Sequence, residues 1–174
     1  PTGRHVLVNG GARASLLSAE LGRRLPLFDR HIDWLVVGGA QDEQISALPV
    51  AVERYPPDRV LWAGPTAGSD SARALYRQLT AAQVEMIEPQ AGQALDLGAG
   101  ARLEFLAITP RGAVLILEWN EFSALLPVGM DFDALEALLA RQELAPLSAL
   151  LLADSGYAPL NPPELFAHLR PQVV

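Results

Sequence analysis

Apolar residues recur along the chain with two different spacings, and the alternation between them predicts the secondary structure. Short apolar runs that end at glycine or another turn residue predict strands. These runs are HVLV, IDWLVV, RVLW and VEMIE, with LSALLLA later in the chain. Apolar residues three or four positions apart predict helices, which cover residues 14–25, 45–55, 69–83, 131–144 and 162–169. The resulting βαβαβαβ order predicts helices packed against a sheet.

The pattern changes over residues 93–129, where strand-like runs are broken by Gly-Ala-Gly, Pro-Arg-Gly and Trp-Asn-Glu. These breaks predict antiparallel strands joined by hairpins. An αβαβ stretch follows and ends in the strand-like PQVV. We therefore expect a layered α/β domain that includes a mixed sheet.

Several residues predict where the helices begin. Ser69 or Asp70 is expected to cap one helix, and Asp131 or Asp133 another. Pro49 is expected in a first turn, where a missing N–H costs little. In the first helix the spacing predicts one apolar side, formed by Leu16, Leu17, Leu21 and Leu25.

Composition and charge exclude several kinds of function. The 13 basic and 20 acidic residues give a net charge of −7, which disfavours general binding to nucleic acid. The chain has no cysteine, so thiolate metal sites and cysteine nucleophiles are excluded. No apolar run is long enough to span a membrane, and no signal peptide is visible. The three histidines have no ligand spacing, and Gly10-Gly11 fits a tight turn better than a phosphate loop. The three tryptophans are expected to be core or half-buried strand residues.

A resemblance to a known family covers nearly the whole chain and keeps its order. Asn9-Gly10-Gly11 stands at an Asp-Gly-Gly motif. Further matches are Leu25-Pro26, Phe28-Asp29-Arg30 and Ile32-Asp33 and, after the loop, Leu48-Pro49 and Glu53-Arg54-Tyr55. GQALDLGAGARLEFL, FSALLPVGM and ALLLADSGYAPLNPPELFAHLRPQVV match later segments. On these residues the sequence resembles the metallo-β-lactamase-like domain of ComEC-type competence proteins, which take up DNA.

The resemblance implies a fold and a setting. The fold would be a four-layer αββα sandwich with two mixed sheets, lacking one edge strand of the first sheet. Residues 1–174 would be a single domain excised from a longer membrane protein. The domain itself would be soluble and would lie on the extracytoplasmic face of the bacterial inner membrane. Its partners would be the membrane channel segments of the same protein and, in that full-length setting, single-stranded DNA. The domain alone should bind nucleic acid weakly or not at all.

The segment VVGGAQDEQI stands where this family carries its metal-binding THxHxDH motif. Gly39, Gln41 and Gln44 replace the three histidines, and Glu43 replaces the aspartate. Further positions of the degenerate site are Met130, at the metal-bridging acid, and Asp154 and Ser155, at a His-His pair. Zinc needs about three imidazole or carboxylate ligands and an open position for water. Glycine supplies no ligand and a neutral amide suits zinc poorly.

These substitutions predict a catalytically inactive domain with no cofactor, serving a structural or binding role. One alternative is an active metal-dependent nuclease or phosphoesterase with a rearranged acidic site. Its cation ligands would be Asp42, Glu43, Asp131 and Asp154, which are all expected on loops at strand ends. For Asp131 the simpler expectation is helix capping. Another alternative is a stand-alone interaction domain with no part in DNA uptake.

Overall fold

The computed structural model describes residues 4–25, 30–141, 144 and 146–174. The family matches at Pro26, Phe28 and Asp29 lie outside these described residues. The chain divides into two compact units, which meet in sequence between Pro89 and Gln90. Each unit contains one sheet with its own helices. The expectation of a single domain over residues 1–174 stays a prediction.

The first unit contains a four-stranded sheet in the order β1-β2-β3-β4. Its strands are β1 Val6–Val8, β2 Ile32–Val37, β3 Pro57–Trp62 and β4 Glu85–Ile87. Its helices are α1 Ala14–Arg24, α2 Asp42–Ile45, α3 Leu48–Arg54 and α4 Asp70–Ala81. All three strand pairings described in this sheet are parallel. The prediction of a mixed first sheet is therefore wrong for these strands, because a helix-containing crossover separates each pair.

The second unit contains a five-stranded sheet in the order β5-β6-β7-β8-β9. Its strands are β5 Ala94–Gly98, β6 Ala101–Thr109, β7 Gly112–Trp119, β8 Phe122–Leu126 and β9 Ala149–Leu150. Its helices are α5 Phe132–Leu139 and α6 Pro163–Leu169, with short 3₁₀ turns at Ala153–Gly156 and Ala158–Leu160. The first three pairings are antiparallel and β9 is parallel to β8, which confirms a mixed sheet here.

Local chemistry explains how most helices begin. The Ser69 hydroxyl accepts a hydrogen bond from the N–H of Ala72, and the Asp131 carboxylate accepts one from Ala134. Pro49 lies in the first turn of α3. The predicted caps and the position of Pro49 are therefore confirmed.

Other expectations need correction. Leu16 is about half exposed because it lies off the inward face of α1 that Leu17 and Leu21 occupy. The LSALLLA segment is a strand only at Ala149–Leu150, and the next two leucines are exposed. The tryptophan prediction holds for Trp62, which is buried, and for Trp119, which lies at the turn end of strand β7 and is about half-buried.

Each unit has its own apolar core. In the first, residues such as Leu35, Val60 and Leu75 pack between the sheet and its helices. In the second, Val114, Leu125 and their neighbours pack against α5 and α6. Within the described residues, no helix is both long and apolar enough to cross a bilayer.

Candidate functional site

The loop after β2 is oriented by a buried asparagine. Asn9 follows β1 and has left-handed backbone geometry, with a φ of 51° that asparagine tolerates better than most residues. Its Oδ1 accepts a hydrogen bond from the N–H of Gly38 at 2.8 Å, and its own N–H donates to the Val36 carbonyl at 2.9 Å. Asn9, which aligns with the first acid of the family pattern, therefore serves here to fix the start of the neighbouring loop.

The two glycines after Asn9 form a tight turn, as predicted. The N–H groups of Gly10 and Gly11 both donate to the carbonyl of Gln44, at 3.0 and 2.8 Å. A Cβ atom on Gly10 would lie 2.7 Å from the Cδ2 of Leu48, so a larger residue here would force the packed leucine side chains to shift. Because both N–H groups are engaged within the chain, this turn is not a phosphate loop.

The two glutamines of the loop cap the short helix α2. Gln41 is the residue before the helix, and its side chain accepts a hydrogen bond from the backbone N–H of Gln44. In return, the Oε1 of Gln44 accepts a hydrogen bond from the N–H of Gln41 at 3.3 Å. The N–H of Gln44 also donates to the backbone carbonyl of Gln41 at 2.9 Å, so the side-chain pair adds to a backbone turn at the start of the helix. Gln41 and Gln44, two of the three residues that align with the family's histidines, thus have a structural role.

The acids of this loop differ in their contacts. Asp42 begins α2, and its carboxylate accepts a hydrogen bond from the N–H of Ser71, in the first turn of α4, at 3.2 Å. The hydroxyl and then the backbone N–H of Ser71 hold the pKa of the Asp42 carboxyl below its usual value. The Ser71 hydroxyl oxygen also lies 3.2 Å from the hydroxyl oxygen of Ser46, a polar contact between α4 and the end of α2. Glu43 is exposed, and Gly39 is buried.

In the second unit, the residue at the position of the metal-bridging acid is part of the core. Met130 is only 2% exposed and belongs to the apolar cluster that contains Leu135 and Leu147. A thioether in such a setting fills space and contributes packing energy. The side chain at this position therefore contributes to the core of the second unit.

The backbone beside Met130 is held by the turn between β6 and β7. The Thr109 hydroxyl donates to the carbonyl of Gly129 at 2.6 Å, and the N–H of Gly129 donates to the carbonyl of Ala113 at 2.8 Å. A Cβ on Gly129 would lie 2.3 Å from the carbonyl carbon of Gly112. Gly129 is thus required by a close approach of two backbones.

The segment at the family's His-His pair has a left-handed backbone. Asp154 and Ser155 have φ angles of 47° and 53°, and both side chains are exposed. The Oδ2 of Asp154 lies 2.9 Å from the Nη2 of Arg111, which follows Thr109 in the same β6–β7 turn. Asp154 is therefore held by a guanidinium, a partner that competes with any cation for its oxygens.

The side chains at these positions do not suit a zinc ion. Within the described part of the chain, no group of three His, Asp or Glu side chains is placed to hold a metal. Of the four carboxylates considered for a rearranged site, three have other partners. Asp42 bonds to Ser71, Asp131 caps α5 and Asp154 pairs with Arg111. Neither the glycine nor the two capping glutamines adds an imidazole or a carboxylate.

Three side chains that organise these loops were not anticipated from sequence. They are Ser71, Thr109 and Arg111. Arg111 is 43 residues from Asp154, so no local pattern links the two. The capping pair Gln41 and Gln44 does have a local signal, because a capping residue followed three positions later by glutamine is a known helix start.

Comparison with known proteins gives one clear result, which concerns the fold. No family model matches the chain, and no curated protein sequence matches it either. Solved structures do match it. Zn²⁺-bound PqqB from Methylobacterium extorquens aligns with a TM-score of 0.59 and 14% identity, over 87% of this chain and 56% of that one.

Two further structures agree. The Rm3 metallo-β-lactamase aligns with a TM-score of 0.56 and 15% identity, over 86% of this chain and 67% of that one. YhfI, a metallo-β-lactamase-fold protein from Bacillus subtilis, aligns with a TM-score of 0.51 and 15% identity, over 84% and 58%. The chain spans just over half of PqqB and of YhfI, and about two thirds of Rm3. The likeness shows that the chain has an α/β fold of the metallo-β-lactamase type, as predicted.

Proposed function

We propose that this chain is a catalytically inactive metallo-β-lactamase-like domain of a ComEC-like DNA-uptake protein, with a structural or binding role. In this proposal it lies on the outer face of the bacterial inner membrane, and its partners are the channel segments of the same protein. Single-stranded DNA would pass nearby in the full-length protein. The sequence framework from Asn9 to Val174 supports the ComEC-like part of the proposal.

One observation carries the proposed loss of catalysis: Gln41 and Gln44 cap helix α2 with each other. A glutamine side chain engaged at a helix start is less available to a metal than a free one, and its neutral amide is a poor zinc ligand. Without a bound metal, no water is brought to a useful pKa, and the hydrolytic mechanism has no nucleophile. The burial of Met130 and the pairing of Asp154 with Arg111 support the same reading.

The net charge of −7 supports a role other than tight DNA binding by this domain alone. We expect its affinity for single- or double-stranded DNA to be weak and to fall steeply with salt. A fluorescence-anisotropy titration at physiological salt measures this, and submicromolar affinity would contradict it.

The role in uptake is tested in the parent organism by two chromosomal alleles. One deletes the domain, and the other carries Glu43→Ala with Asp154→Ala. We expect the deletion to abolish transformation by added DNA, and the double variant to transform like the wild type. Unimpaired transformation in the deletion strain would contradict the role in uptake. If the double variant also lost transformation while its protein level stayed normal, the result would favour the active enzyme with a rearranged acidic site.

A further inference from the structure

The first unit contains a second feature that none of the loops above uses, a pocket beside helix α4. Its volume is about 370 Å³, and it is lined by Thr66, Ala67, Arg73, Tyr76 and Arg77. Arg73, Tyr76 and Arg77 are three and four positions apart on the helix and so share one face. The remaining two residues come from the loop between β3 and α4. The pocket therefore joins one helix face to the loop that precedes it.

The loop wall of the pocket is formed by a hydrogen-bonded turn. The N–H of Gly68 donates to the carbonyl of Pro65 at 3.2 Å, which places Thr66 and Ala67 at the turn. The carbonyl of Ala67 accepts a hydrogen bond from the Nη1 of Arg73 at 2.9 Å. A Cβ on Gly68 would lie 2.8 Å from the Cγ of Pro65, so glycine keeps the turn tight. These bonds fix the loop wall, and all five lining side chains are exposed, so the pocket is a shallow depression open to solvent.

The helix wall provides positive charge. Arg73 is paired with Asp70, but no carboxylate among the described residues forms an ion pair with Arg77. The Nε of Arg77 donates to the carbonyl of Arg73 at 3.3 Å, which holds the base of the side chain against the helix. A guanidinium offers several donors in one plane and matches the oxygens of a phosphate. The helix wall therefore presents one guanidinium without a carboxylate partner in the described part of the chain, which gives a local attraction for an anion against the net charge of −7 of the whole chain.

The same wall provides an aromatic surface. Tyr76 is 39% exposed, and its ring is nearly perpendicular to that of the buried Trp62, at a centroid distance of 5.7 Å and an angle of 88°. That contact fixes the tyrosine ring on its inner side while part of the ring remains accessible. Aromatic side chains next to arginine are the surfaces on which nucleobases stack, with phosphate bound alongside.

We propose that this pocket binds one nucleotide unit, with its phosphate on Arg77 and its base against the ring of Tyr76. The ligand could be a free mononucleotide or a unit of a single strand, since both present a phosphate and a planar ring. The inference rests on the pocket alone and does not depend on the role in DNA uptake. Nucleotide binding at the pocket can be absent while the domain acts in DNA uptake, and it can be present in a domain with no part in uptake.

The test is a titration of the isotopically labelled chain, followed by NMR, with dAMP, with inorganic phosphate and with a 5′-phosphorylated oligothymidylate. We expect saturable shifts with dAMP that include the indole N–H of Trp62, because the ring of Tyr76 lies next to it. Inorganic phosphate should bind more weakly than dAMP. If the site takes a unit of a strand, the oligonucleotide should bind at least as tightly as dAMP. If it takes a free nucleotide, dAMP should bind and the oligonucleotide should not.

Two variants and a matched control locate the binding. Arg77→Gln should raise the dissociation constant by about tenfold or more, which is the loss of a hydrogen bond to a charged group. Tyr76→Leu should raise it about fivefold or more, which is the loss of one stacked base. Arg23→Gln changes another exposed arginine, on α1, and should leave it unchanged. The absence of saturable binding, equal affinity for phosphate and dAMP, or wild-type affinity in Arg77→Gln would each overturn the proposal.

Discussion

The positions that align with metal ligands of the resembled family have different surroundings in the two units. In the first, the loop from Gly39 to Gln44 keeps polar side chains, which satisfy the start of a short helix. In the second, Met130 has become part of an apolar core, and Asp154 pairs with an arginine from a neighbouring turn. In the first unit, the polar side chains are held by hydrogen bonds between residues close in sequence. In the second unit, the corresponding side chains are held by apolar packing and by an ion pair between residues far apart in sequence.

This difference has an energetic consequence. Hydrogen bonds at an exposed loop contribute about 1 kcal/mol each, because water competes for the same groups. A buried apolar side chain contributes more, because removing it leaves a cavity. An acid placed at the buried position of Met130 should therefore lower stability most, and changes to exposed side chains should lower it less.

The largest effect is expected for Met130→Asp. This variant returns the bridging acid but places a carboxylate where the side chain is 2% exposed. It should lower the free energy of unfolding by about 4 kcal/mol or more, from lost packing together with the burial of a polar group. Met130→Leu is the matched control and should cost less than about 1.5 kcal/mol. Urea denaturation measures both, and a Met130→Asp variant as stable as Met130→Leu would show that this position is not a core position.

A smaller effect is expected at the capping pair. Gln44→Ala removes the side chain that accepts from the N–H of Gln41, and should cost about 1 kcal/mol. Glu43→Ala changes the exposed neighbour and should stay within about 0.5 kcal/mol of the wild type. The two variants are compared by thermal and urea unfolding. Equal destabilisation by the two substitutions would remove the capping role.

The ion pair between Arg111 and Asp154 should contribute less again. Both side chains are more than a third exposed, so solvent screens their attraction. A double-mutant cycle with Arg111→Gln and Asp154→Asn should give a coupling of about 0.5 kcal/mol that shrinks as salt is added. A coupling that is absent at low salt would show that this pair does not hold the loop.

The smallest effect is expected for Asp42→Asn, and it should depend on pH. Ser71 holds the folded-state pKa of Asp42 below its unfolded value, so the ionised form stabilises the fold. Its contribution is present above the unfolded pKa of about 4 and is lost as the pH falls through the folded value. The wild type should therefore be slightly more stable than Asp42→Asn at pH 7, and the two should converge in acid. A difference that grows on acidification would contradict this assignment.

Local chemistry made much of the fold predictable. The caps at Ser69 and Asp131 and the placement of Pro49 follow from groups close together in sequence. The exposure of Leu16 was not predictable in this way, because a leucine beside the apolar face of a helix fits the same spacing as one within that face. The pairing of Arg111 with Asp154 joins residues far apart in the chain, which periodicity does not detect.

The most direct test of the central claim is the metal content of the chain, purified without chelators and measured by elemental analysis. We expect zinc and manganese well below one ion per chain, with no change in Glu43→Ala or Asp154→Ala. A stoichiometric metal signal that is lost in either variant would contradict it and would support an active enzyme with a rearranged acidic site.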